Sequence, residues 1–186
     1  MAENTGGQFG FVAMKNYNEY ENVFEFASPD ENAWVALNTG LDEFGENRQP
    51  GSAQAILFSF IAPEHPERLI FDFMGPNEFG ADFQDGAKPA LFWFIEAYKE
   101  PFAGEFTLEA GKPYNILMAI DQNGAFMAQI WENGNYEKHS SFAGDFSTRQ
   151  NGEGYKNQSW KFIIGFEKGD TLKIAEYKVY TFDTFK

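Results

Sequence analysis

There is no cysteine in this sequence, which excludes disulfides, thiolate metal sites and thiol chemistry and leaves the redox compartment unmarked. Histidine is almost as scarce. His65 stands between Pro63 and Pro66 in a turn and His139 lies in a polar stretch; without a second histidine at ligand spacing, zinc is not expected and both read as surface residues. No apolar run approaches ~20 residues, so no membrane-spanning helix is expected. The start, Met1-Ala2-Glu3-Asn4, has neither a basic nor an apolar region, so no signal segment is read from it. Positive charge is in short supply too: 14 Lys and Arg against 28 Asp and Glu leave a net charge of −14. That opposes nucleic-acid phosphates and anionic lipid alike, so neither nucleic acid nor membrane is an expected partner. An acidic polysaccharide would need a bound cation or a basic patch to overcome the repulsion, and no such patch is visible. Gly-rich phosphate loops are missing, because Gly152-Glu153-Gly154 lacks both the lysine and the following helix.

What the chain has in quantity is aromatic residues, 18% of the total and 22 of them Phe, within a hydrophobic content of 43%. That is enough to build a core without metals or disulfides. No linker divides the sequence, and a single domain over residues 1–186 is expected. Helical periodicity is nearly absent. Short runs of β-branched, aromatic and aliphatic residues alternate with clusters of Gly, Pro, Asn and Asp, the pattern of an all-β chain. The clearest strands are predicted at 55–61, 69–74, 91–98, 114–120, 126–131, 160–166 and 172–182, with further runs near 9–14, 22–26 and 34–37. Ile116, Met118 and Ile120 alternate into Asp121-Gln122-Asn123-Gly124, and Phe126, Ala128 and Ile130 alternate back. Asn-Gly supplies the positive φ of a tight hairpin turn, and those six residues are expected to face the core. The longest irregular stretch is read at 132–159.

The second half runs Gly104-Glu105-Phe106-Thr107-Leu108-Glu109-Ala110-Gly111-Lys112-Pro113-Tyr114, then the hairpin to Ile130-Trp131-Glu132-Asn133-Gly134, and closes with Gly169-Asp170-Thr171-Leu172-Lys173-Ile174-Ala175-Glu176-Tyr177-Lys178-Val179-Tyr180. This order resembles the concanavalin A-like (laminin G-like) jelly rolls over roughly residues 55–182. The resemblance implies a two-sheet antiparallel β-sandwich, and it specifies fold better than function. It also implies that glycans bind to a concave face or to rim loops, and that the protein works outside a bacterial cell or on its surface.

Catalytic machinery is harder to find. Laminarinase-like members of that superfamily carry Glu-x-Asp-x-x-Glu on one strand. Here Glu19-Tyr20-Glu21-Asn22-Val23-Phe24-Glu25 departs from it, with Glu21 in place of Asp and one residue too many before Glu25. A retaining pair needs carboxyls about 5 Å apart, and the plainer reading is a solvated edge strand. Glu96 and Glu176 are the remaining candidates for an acid pair. Neither the composition nor the signature strands of the jelly-roll xylanases are present. No cofactor is expected. Oxygen-rich turns at Asp30-Glu31-Asn32, 82–85 and Asp121-Gln122-Asn123 offer the ligand chemistry of a structural calcium ion, although none has the EF-hand spacing.

Sugars present C–H faces that stack on aromatic rings and hydroxyls that planar polar side chains read, so the candidate site is a set of exposed rings beside amides and charges. Trp131 follows Met127 and Gln129 on the hairpin face opposite the core row. On a strand continuous from 91 to 98, Trp93 falls on the core face, and Glu96 and Tyr98 on the more polar one. Trp160 aligns with Phe162, Ile164 and Phe166 as core. Trp34 and Tyr155 stand near polar loops, and Arg48 could fork onto hydroxyls. The expected function is a non-catalytic carbohydrate-binding module for a mostly neutral polysaccharide or oligosaccharide. Trp131, Tyr98, Trp34 and Tyr155 would stack, while Gln129, Glu96 and Arg48 would hydrogen-bond. The module would be one part of a larger multidomain protein, whose tethering amplifies weak affinity. A jelly-roll glycoside hydrolase or lyase, and a structural or adhesion domain binding a protein, are the alternatives.

Overall fold

The computed structural model describes residues 2–6, 10–17, 20–27, 33–37, 53–74, 79–93, 98–120, 124–145 and 161–182. In chain order their strands are β1 (Ala2–Gly6), β2 (Gly10–Tyr17), β3 (Tyr20–Ala27), β4 (Ala33–Leu37), β5 (Ala53–Ile61), β6 (Ile70–Met74) and β7 (Phe79–Asp85). There follow β8 (Lys88–Trp93), β9 (Tyr98–Pro101), β10 (Pro113–Ile120), β11 (Ala125–Glu132), β12 (Asn135–Asp145), β13 (Lys161–Phe166) and β14 (Thr171–Phe182). They form two seven-stranded antiparallel sheets: sheet one in the order β1-β4-β13-β6-β7-β8-β9, and sheet two in the order β12-β11-β10-β5-β14-β3-β2. This is the all-β chain that the residue pattern predicts and the two-sheet sandwich that the resemblance implies.

The hairpin of β10 and β11 shows how the pattern becomes packing. Ile116 pairs with Ile130, Met118 with Ala128 and Ile120 with Phe126, and all six side chains are buried. Because successive strand residues point to opposite faces, this places Met127, Gln129 and Trp131 on the outer face, where they are half-buried. Gly124 has φ +93°, the left-handed conformation that its turn needs.

Between the sheets lies a Phe-rich core. From sheet two Phe58 and Phe60 meet Phe71 of sheet one at ring distances of 5.9 and 5.1 Å. Phe79 of sheet one meets Phe126 of sheet two edge-on at 5.2 Å. Burying each such ring contributes about 1.5–3 kcal/mol, and each aromatic pair about 0.5–1.5 kcal/mol more.

The N-terminal runs complete the sheets: β1 and β4 pair in sheet one, β2 and β3 in sheet two. Two expectations need correction. The strand predicted over 91–98 is two antiparallel neighbours, since β8 ends at Trp93 and β9 starts at Tyr98. Alternating parity does not carry through a reversal: Tyr98 is the register partner of Trp93, which in turn stands opposite Phe79. The stretch read as irregular over 132–159 contains β12. Asn133-Gly134 closes a second hairpin there, with Gly134 at φ +76°, and the chain alternates back through Ser140 and Phe142, both buried. The oxygen-rich run at 82–85 is likewise the end of a strand, β7, rather than a turn.

Candidate functional site

Three strands position the aromatic cluster on the outer face of sheet two. Trp131 of β11 stands opposite Asn115 of β10 on one side and His139 of β12 on the other. Past Trp131 the ladder shifts: His139 pairs with Trp131, yet the next residue, Glu132, pairs with Asn135. The register skips Tyr136, Glu137 and Lys138. Bulges of this kind re-aim side chains, and here the bulge swings Tyr136 over Trp131. Their ring centroids are 5.7 Å apart with planes at 68°. His139 stacks on Tyr136 at 5.2 Å and 12°, and Tyr136 remains 57% exposed.

The hydrogen bonds beneath the rings form a chain. Ser59 Oγ donates to Asn115 Oδ1 at 2.6 Å, and Asn115 Nδ2 donates to Asn133 Oδ1 at 2.8 Å. Ser59 and Asn115 are buried although they lie on the outer face, so this chain fixes the floor under Trp131 and ties it to the turn that carries Tyr136. His139 Nδ1 lies 3.0 Å from the Tyr136 carbonyl. A carbonyl only accepts, so Nδ1 donates this hydrogen bond. Lys138 Nζ is 3.2 Å from Glu132 Oε2, so the cation of the bulge is paired.

Of the residues predicted for the site, Trp131 and Gln129 share one outer face, two positions apart on β11. Trp34 on β4 and Tyr98 on β9 belong to sheet one, with β13, β6, β7 and β8 between them. Five strand spacings of roughly 4.8 Å each lie between β4 and β9, in the sheet opposite the one that carries Trp131. Glu96, Arg48 and Tyr155 lie outside the described residues, as does Trp160 of the expected core. Tyr136, Asn115, Asn133 and His139 were missed by the sequence reasoning. The signal for Tyr136 was Asn133-Gly134, a hairpin dipeptide directly before it.

Of the candidate carboxylates, Glu176 and Glu25 have described side chains. Glu176 is exposed, pairs with Lys178 at 2.9 Å and stands opposite Ser59 in register. Glu25 is buried on β3, which lies between β14 and β2 and is not the edge strand expected. On sheet one Asp72 and Asp82 are buried, and Asp82 pairs with Lys99 at 2.7 Å. Among the described residues no group of three or more His, Asp and Glu gathers in a way that could hold a metal; the calcium turns at Asp30 and Asp121 lie outside them. A separate cleft of about 470 Å³ is lined by Lys88, Pro89, Pro101, Phe102, Glu105 and Phe106 among others. The two Phe rings there are buried and offer no open face.

No protein-family model matches the chain and no curated protein matches its sequence. Solved structures do match its shape. A Shewanella oneidensis MR-1 protein of unknown function superposes with a TM-score of 0.63 at 9% identity, over 97% of this chain and 77% of that one. The Lotus tetragonolobus seed lectin superposes at 0.56 with 8% identity over 100% of both chains. A family 7 alginate lyase, A1-II′, superposes at 0.56 with 14% identity, over 90% of this chain and 85% of its own. The fold is a concanavalin A-like jelly roll, and at these identities the likeness is one of fold.

Proposed function

We propose that the chain is a non-catalytic carbohydrate-binding module whose site is the Trp131–Tyr136–His139 cluster. The observation that carries the reading is an exposed tyrosine and a half-buried tryptophan held in contact on an outer sheet face, above a hydrogen-bonded amide floor. Rings offer C–H stacking surfaces, and Gln129 and the His139 imidazole are polar groups suited to hydroxyls. The net charge of −14 favours a neutral glycan over a polyanion. Lectins of the same fold complexed with galactose and methyl-α-D-galactose are in keeping with it.

The alternative of a hydrolase or lyase has one supporting fact, the alginate lyase among the similar structures. Secretion from a bacterium, and attachment to a polysaccharide-degrading enzyme or adhesin, belong to the same proposal.

Native affinity gels containing neutral glucans, xylans and mannans, with reducing-sugar release followed in parallel, test it. The expected result is retarded migration in one neutral glycan, abolished by Trp131→Ala, with no sugar released. Sugar release would make the chain an enzyme. Unretarded migration throughout would leave a protein-binding domain.

A further inference from the structure

Resting on the carbohydrate-binding reading above, we infer that the site takes a single free chain of an uncharged glycan, one pyranose at a time, and not the flat face of a crystalline polysaccharide. The angle between the rings decides this. A crystalline facet is planar, and a site that adheres to it must present its rings in one plane. The Trp131 and Tyr136 planes stand at 68°, with centroids only 5.7 Å apart, so a flat surface lying on one ring meets the other nearly edge-on. Two rings so placed make a corner. One ring takes the C–H face of a pyranose while the other closes against its rim, which only a sugar unit free on several sides can reach.

His139 narrows the choice further. It stacks on Tyr136 with the planes 12° apart, which takes one face of that ring from the ligand. Charge sets the second restriction. Lys138, the cation of the bulge, is paired with Glu132 at 3.2 Å, and Glu137 is exposed beside Tyr136. A uronate carboxylate entering the corner would meet an acidic rim and a neutralised lysine.

The intact chain is incubated with soluble hydroxyethyl cellulose, galactomannan and arabinoxylan, with particulate microcrystalline cellulose and chitin, and with alginate and polygalacturonate. Binding to at least one soluble neutral chain is expected. Its dissociation constant should rise about tenfold or more in Trp131→Ala and in Tyr136→Ala separately, with Trp131→Phe retaining most affinity and reporting that the fold is intact. Depletion of the protein by crystalline particles that soluble chain does not compete off would overturn the corner reading while leaving carbohydrate binding standing. Equal or tighter binding to alginate or polygalacturonate would overturn the charge restriction. Binding to none of the glycans would overturn both this inference and the function on which it rests.

Discussion

The imidazole Nδ1 of His65 lies 2.8 Å from Oδ1 of Asp170, and Oδ2 of the same carboxylate accepts the His65 backbone N–H at 2.8 Å. The contact fastens the connection between β5 and β6 to the turn before β14. Asp170 is 2% exposed at its side chain and His65 is 50% exposed, so a buried anion is held by a residue open to titration. The hydrogen bond to Asp170, followed by the charge of Asp170, raises the His65 pKa above the ordinary 6.5, with Glu67 and Glu64 adding in the same direction. A folded pKa above the unfolded one means that the protonated pair stabilises the fold fully below pH 6.5 and that this contribution is lost as pH rises through the higher folded value. The difference in Tm between the native chain and His65→Gln should therefore be largest on the acid side of that window and shrink above it. A difference that stays constant with pH would show that the imidazole charge contributes nothing.

Removing the floor of the aromatic corner has a separable cost. Asn115→Ala leaves the buried Ser59 hydroxyl without its acceptor, which costs about 1–3 kcal/mol. Ser59→Ala alone should cost less, and the double variant should cost less than the sum of the singles, because the pair shares one hydrogen bond. Urea denaturation of the four proteins in the cycle checks this. Strict additivity would mean that the 2.6 Å contact carries no coupling.

How much of this was legible beforehand depends on how local the determinants are. The hairpin of Ile116, Met118, Ile120, Phe126, Ala128 and Ile130 was readable because period-two alternation and Asn-Gly are contained within a dozen or so residues. Trp131 followed from the same parity, and its outer-face position is as expected. Tyr136 could not be placed by parity, because the register shift between Trp131 and Glu132 breaks the alternation on β12. Parity failed at Tyr98 for a related reason, a chain reversal between two apolar runs that lack a Gly or Pro between them. Asn115 and Ser59 sit 56 residues apart, and no local pattern announces a hydrogen bond across strands whose order is set by the whole fold.

The turn that carries Tyr136 can be perturbed without touching the rings. Gly134 has φ +76°, and a Cβ there would meet nothing within 4 Å, so Gly134→Ala introduces conformational strain alone, about 1–2 kcal/mol. Relaxing the turn shifts Tyr136 relative to Trp131, and glycan affinity should fall by more than a comparable strain elsewhere produces. Gly169→Ala is the control, at φ +84° with the same open space but on the turn before β14. Equal losses of affinity in the two variants would detach Tyr136 from the site.

Gly80 tests the opposite sheet. It stands opposite Asp72 on the neighbouring strand, and a Cβ built on it would lie 2.0 Å from the carbonyl oxygen of Phe71 and 2.9 Å from the Asp72 Cα. Both are backbone atoms, so no rotamer change relieves the clash, and β6 and β7 must separate. Gly80→Ala should destabilise the chain by about 3 kcal/mol, well beyond the strain-only cost at Gly134. Because β7 lies in sheet one and the Trp131 cluster in sheet two, the folded fraction of Gly80→Ala should bind glycan with unaltered affinity. Denaturant titration combined with affinity measured per folded molecule separates the two effects. A normal denaturation midpoint would refute the close approach of the strands, and weakened binding by a fully folded variant would show that the two sheets are coupled through the Phe core.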